Sequence, residues 1–147
     1  MNKALTIQYR LICLFVLMLA PVSGIAEETI EQQMKNGVLA YTRADIINAM
    51  KWFRKAAEQG HAPAQTRLAR LLDTSEQNQE AFKWYQLAAE QYSNMLEKYP
   101  SEIYMMLGFG WTYLKMGKTH EARAMFEQLL SIHRQNTKAR AGLEALL

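Results

Sequence analysis

The 147-residue chain carries one cysteine, Cys13, and three prolines. A single thiol forms no intrachain disulfide and no multi-thiolate zinc site, so the fold has to rest on an apolar core. Histidine is scarce too. His61, His120 and His133 stand far apart, none of them four residues from another histidine or from the cysteine. Glycine does not gather into a phosphate-binding loop: Gly108 and Gly110 lie inside a helical pattern with no lysine–threonine continuation. The carboxylates form no isolated apolar-flanked pair of the kind that acid–base catalysis uses. No segment alternates polar and apolar residues with period two, which argues against a sheet. These absences read as a chain that is not an enzyme and needs no cofactor or metal.

Long hydrophobic runs are missing as well. The longest is ten residues, Leu11–Ala20, about half of the ~20 that a spanning helix needs. Lys3 and Arg10 precede it with no acid, Pro21 closes it, and the small residues Ser23, Gly24 and Ala26 follow. That order of charge, apolar run and small-residue exit is a secretory signal peptide over 1–26, cleaved after Ala26; a retained anchor is the competing reading. Cys13 sits within the apolar run and lacks the small-residue setting of a lipidation site. The mature chain is then expected in the periplasm or outside the cell, touching membrane only through the leader before cleavage. Loss of the leader removes two of the 17 bases and none of the 14 acids, so the formal charge falls from +3 to +1. Net charge thus gives no case for nucleic-acid binding.

What is present is repetition. Residues 49–59, AMKWFRKAAEQ, and 81–91, AFKWYQLAAEQ, agree at seven of eleven positions with an offset of 32. Ala49, Phe53, Ala56 and Ala57, then Ala81, Tyr85, Ala88 and Ala89, form one apolar stripe at helical spacing. Ala122, Phe126, Leu129 and Leu130 repeat it after an insertion, read as an extension of the second helix until Tyr99-Pro100-Ser101 stops it. Each copy is preceded by another helical stretch: 29–43, 62–73 and 102–116. Turns at Ala44-Asp45, at 74–78 and at Gly117–Thr119 separate them, with Asp45, Ser75 and Thr119 expected as N-caps. Residues 137–147 complete the array as a capping helix. The prediction is seven helices: three antiparallel pairs and a cap.

Residues 103–136, with Phe109-Gly110, Tyr113, Gly117, Ala122 and Phe126 in order, resemble a tetratricopeptide repeat. Leu129 stands where a small residue is usual, and Arg134 lies near the place of the closing proline. The phrase WFRKAAEQG at 52–60, followed by HAPAQTRLARLL, is similar to Sel1-like repeats; the second copy has Tyr92 in place of the glycine. The resemblance spans 30–136, with repeats at about 30–61, 62–95 and 103–136 within a domain of 27–136. It implies an all-α, right-handed solenoid with a concave face lined by the first helix of each pair, and a function in binding proteins or peptides. Carried onto this chain, the partner-facing residues are Met34, Val38 and Tyr41 in the first pair, Thr66 and Arg70 in the second, and Tyr104, Leu107, Trp111 and Lys115 in the third.

Each of these has a structural alternative. Trp111, Tyr41 and Tyr104 are either anchors in a groove or part of the core. Trp52 and Trp84 recur beside the alanine stripe, which favours packing between repeats. Arg67 and Arg70, near Lys51, Arg54 and Lys55 in sequence, are either a basic patch for an acidic partner or a solvated face. The functional expectation is a periplasmic adaptor or scaffold that binds a peptide or helix of an envelope partner. A chaperone for exported clients, suggested by the nine methionines, is the alternative. Self-association through the groove or last helix, and a small hydrolase, are further alternatives; cysteine-rich Sel1-like proteins have been linked to hydrolysis, but this chain lacks their cysteines.

Overall fold

The computed structural model describes residues 28–147; the leader expected over 1–26 lies outside the described residues. Seven helices fill the span: α1 (Ile30–Thr42), α2 (Ile46–Glu58), α3 (Ala62–Thr74), α4 (Asn78–Lys98), α5 (Ile103–Lys115), α6 (Thr119–Ile132) and α7 (Thr137–Glu144). No strand occurs among the described residues. Each helix packs against the next in the chain, and α3 also meets α5, as α5 meets α7. The result is an all-α stack of helix pairs.

Four of the turns share one construction. The residues Ala44, Gly60, Glu76 and Gly117 each adopt a left-handed backbone, with φ of 58°, 80°, 62° and 73°. Each closes the preceding helix with a pair of backbone bonds. Thus Asp45 N–H donates to Ala40 C=O (3.0 Å) and Ala44 N–H to Tyr41 C=O (3.0 Å). Lys118 N–H donates to Tyr113 C=O (2.9 Å) and Gly117 N–H to Leu114 C=O (3.0 Å). This double closure is the Schellman motif, which satisfies carbonyls that the helix end would leave unpaired.

The motif also fixes where the next helix is capped. Asp45 accepts from Asn48 N–H at 3.2 Å and caps α2 as expected. Ser75 does not cap α4. It falls inside the closure of α3, and its hydroxyl donates back to Leu71 C=O at 2.9 Å. Thr119 is the first residue of α6, and Lys118 takes the cap position. Both corrections have one cause: the left-handed residue and the cap follow each other directly, so the cap falls on Gln77 and Lys118, which make no side-chain cap bond. Thr29 and Asn136 cap α1 and α7 instead, accepting from Gln32 and Ala139 N–H at 3.2 and 3.0 Å.

The apolar stripe lies inside as its spacing requires. Ala49, Phe53, Ala56 and Ala57 are at most 1% exposed, Ala81, Tyr85 and Ala88 at most 2%, and Ala122, Phe126 and Leu129 fully buried. The aromatic rings of the first and third copies each fill a hole on a neighbouring helix. Phe53 presses on Gly37 of α1, where a Cβ would lie 2.5 Å from the ring, and Phe126 meets Gly110 of α5 at the same spacing. Burying a Phe side chain contributes about 1.5–3 kcal/mol, so these rings anchor their repeats. The extension of α4 carries Tyr92, which packs with Ala62, Ala88 and Phe109 and bridges the N-terminal and C-terminal parts of the core.

Candidate interaction surface

Two first helices of the pairs, α3 and α5, are joined by polar contacts. Thr66 Oγ1 and Thr112 Oγ1 lie 3.2 Å apart across the α3–α5 seam, each hydroxyl also contacting the carbonyl four residues back, of Ala62 at 3.1 Å and of Gly108 at 2.8 Å. Tyr92 lies behind this seam. Its hydroxyl reaches Gly108, where a Cβ would stand 2.5 Å away, and burial pushes its phenol above the ordinary tyrosine value. Further along, Lys115 Nζ of α5 pairs with Asp73 Oδ2 of α3 at 3.4 Å. Both side chains are partly exposed, so this ion pair fixes geometry more than it adds stability.

Between α1, α2 and α3 lies a cleft of about 360 Å³, lined by Tyr41, Ile46, Phe53, Arg67, Arg70, Leu71, Thr74 and Ser75. Tyr41 closes one wall from the last turn of α1 and is 47% exposed. Arg67 and Arg70 are one turn apart on α3, with the Arg67 guanidinium carbon 5.7 Å from the centre of the Phe53 ring. Neither arginine makes a salt bridge among the described residues.

The residues expected to face a partner divide by environment. Tyr41 and Arg70 meet in the cleft. Val38, Tyr104 and Lys115 are exposed, Tyr104 the most at 78%. Thr66 belongs to the seam. Met34 packs half-buried on the N-terminal core, and Leu107 and Trp111 do the same at the C-terminal core. Trp111 stands edge-on to Phe126 with ring centres 5.5 Å apart, so part of its surface serves the core. Ile46, Phe53, Leu71 and Thr74 were not singled out as partner-facing. Phe53 sits on a stripe that reads as core, and Leu71 in a stretch read only as helical; the meeting of three helices shows their edges reaching a common cleft.

The basic residues close together in sequence separate in space. Lys51, Arg54 and Lys55 line a shallow surface of α2 with Ile47, Met50 and Glu58, apart from Arg67 and Arg70. Arg54 pairs with Glu80 at 2.6 Å and Lys55 with Glu28 at 3.1 Å. The Arg54 hydrogen bond, helped by Trp84 Nε1, holds the Glu80 carboxyl below its ordinary range. Lys55 lies 4.3 Å over the Trp52 ring, while Trp84 packs half-buried on the N-terminal core. His61 sits in the α2–α3 turn, and burial lowers its pKa. No group of three or more His, Cys, Asp or Glu side chains is arranged to hold a metal among the described residues. Nor is any described helix long and apolar enough to cross a membrane.

The helix pairs follow one another along the chain, and in the first and third a phenylalanine is seated on a glycine of the first helix. The family model described as tetratricopeptide repeat matches residues 60–135, more than half of the chain. The chain belongs to the tetratricopeptide repeat family. A Sel1 repeat model matches residues 35–61 ahead of it. The second copy, whose sequence resembles Sel1-like repeats, thus falls within the tetratricopeptide match.

Solved tetratricopeptide domains share the fold. The first such domain of Spaghetti (RPAP3), bound to the HSP90 peptide SRMEEVD, has a TM-score of 0.55 at 14% identity, covering 83% of this chain and 93% of that one. The OM64 domain of Arabidopsis gives 0.53 at 19% identity, covering 81% and 94%. PcrH from Pseudomonas aeruginosa gives 0.51 at 20%, covering 87% and 98%. Comparison with curated proteins found no match.

Proposed function

We propose that this chain is a protein-interaction module that receives a peptide or helix of a partner on the surface of α1, α3 and α5, and that it serves as a periplasmic adaptor or scaffold in an envelope complex. The observation that carries the docking surface is the cleft between α1 and α3 beside the α3–α5 seam. It combines exposed aromatic and aliphatic area with cations, the chemistry that dominates protein interfaces. In support, two domains of like fold are described as peptide complexes, with HSP90 and HSP70 peptides respectively. The periplasmic setting rests on the leader pattern of residues 1–26.

A chaperone surface was suggested by the methionines. Met34, Met50, Met95, Met105, Met106, Met116 and Met125 are all buried or half-buried, so they gather into no broad exposed apolar surface, and a selective partner is the favoured reading. Photo-crosslinking in the native host tests this. A photoreactive residue at Val38 or Tyr104 is expected to give one discrete adduct, while one at Leu87, exposed on the second helix of its pair, gives none. Adducts from Leu87 alone, or none at any position, would refute the docking surface. Fractionation of the same cells tests the compartment, and a cytoplasmic mature chain would refute the periplasmic assignment.

A further inference from the structure

We propose that the α1–α2–α3 cleft takes an acidic segment of the partner, with a large apolar side chain entering between Tyr41, Ile46 and Leu71 and carboxylates meeting Arg67 and Arg70. This rests on the docking reading above and adds the chemistry of the partner.

Three observations converge on it. First, the cleft is lined by two guanidiniums and no carboxylate among the described residues. Of the acids next to it in sequence, Asp45 caps α2 and accepts from the Asn48 side chain at 2.7 Å, Asp73 pairs with Lys115 at 3.4 Å, and Glu76 lines a separate surface with Glu80 and Lys83. Neither Arg67 nor Arg70 has a salt-bridge partner among the described residues, in contrast to Arg54 and Lys55, each of which has its acid. Second, Arg67 lies over the Phe53 ring. A ring face under a guanidinium draws the cation without using its N–H donors, which leaves them available for two-pronged capture of a carboxylate. Third, apolar surface lies directly beside the cations, with Tyr41 47% and Ile46 36% exposed. A partner side chain placed there excludes water and strengthens the neighbouring charge contacts.

The two arginines are three residues apart on α3, which places them on one helical face with side chains about 5–6 Å apart at their bases. Two cations at that spacing call for two carboxylates. An acidic segment supplies both from its side chains alone, with no free terminus needed.

Selection of binders from a random peptide pool on the intact protein is the test. Enriched peptides are expected to combine Asp or Glu with Leu, Phe or Trp. Their affinity should fall about tenfold or more in the Arg67→Gln/Arg70→Gln double variant, the size expected for loss of charge-assisted bonds. It should also fall as salt rises, and it should survive amidation of the peptide's C-terminus. Circular dichroism of the double variant confirms the fold, since both side chains are exposed. Peptides without excess acid, affinity unchanged in the double variant, binding abolished by amidation, or no enriched peptide would each overturn the proposal. So would concentration-dependent dimerisation abolished by the same substitutions, which would make a second copy of the chain the occupant. If inner-face crosslinks persist while any of these results is found, the docking surface stands and only the acidic chemistry falls.

Discussion

At the scale of single residues, the packing of Phe126 against glycine decides how close α5 and α6 can lie. A methyl group at Gly110 would overlap the Phe126 ring, which is fully buried and cannot swing away. Alanine is the better helix former by about 1 kcal/mol, but overpacking costs about 1–3 kcal/mol. Gly110→Ala is therefore expected to lower stability in urea unfolding; an increase would show that the core yields easily. Tyr85 gives the opposite case. It stands where the first copy has Phe53, it is 2% exposed, and its hydroxyl meets no hydrogen-bond partner among the described residues. Burial pushes its phenol far above the ordinary value. Tyr85→Phe should leave stability unchanged or raise it by up to about 1 kcal/mol. A clear loss would mean that the hydroxyl is bonded. The stripe containing both aromatics was legible in the sequence because helical spacing alone places it. The glycine partners Gly37 and Gly110 were not, since nothing local marks which turn of a neighbouring helix a ring will meet.

Among the helical elements, the turns carry the strain. Ala44 and Glu76 hold left-handed backbone angles that Gly60 and Gly117 hold without cost at the matching places. A side chain in this region costs about 1–2 kcal/mol, partly offset in the glycine variant by its greater freedom when unfolded. Ala44→Gly and Glu76→Gly are each expected to raise stability by roughly 0.5–1 kcal/mol, and thermal unfolding of the two variants checks it. No gain in either would show that the neighbouring closures, and not the turn residue, set the turn energy. The existence and order of the seven helices followed from the 32-residue repeat and from the break at Pro100. The caps followed less well. Asp45 was recognised, but Ser75 was misplaced because the left-handed Glu76 leaves little trace in sequence and moves the cap to Gln77, and Thr119 because the cap follows Gly117 directly and falls on Lys118.

Across the whole molecule, the core consists of buried clusters around Phe53, Tyr92 and Phe126, and the polar contacts between α3 and α5 hold those two first helices side by side. Assigning the first helix of each pair was enough to pick out Tyr41 and Arg70. It was not enough to find the cleft they share, because Ile46 and Phe53 come from a second helix and their sequence pattern is that of core. Arg67 was visible beside Arg70, yet its stacking on Phe53 depends on the crossing of α2 and α3. The central claim is that partners dock on α1, α3 and α5. Hydroxyl-radical footprinting of the protein bound to its crosslinked partner tests it most directly, because exposed aromatic residues lie on both sides of the stack. Tyr41 and Tyr104 are expected to be protected from oxidation in the complex, while Phe82 and Tyr99, which are comparably exposed in the free protein, keep their reactivity. Protection of Phe82 and Tyr99 with Tyr41 and Tyr104 still reactive would contradict the account.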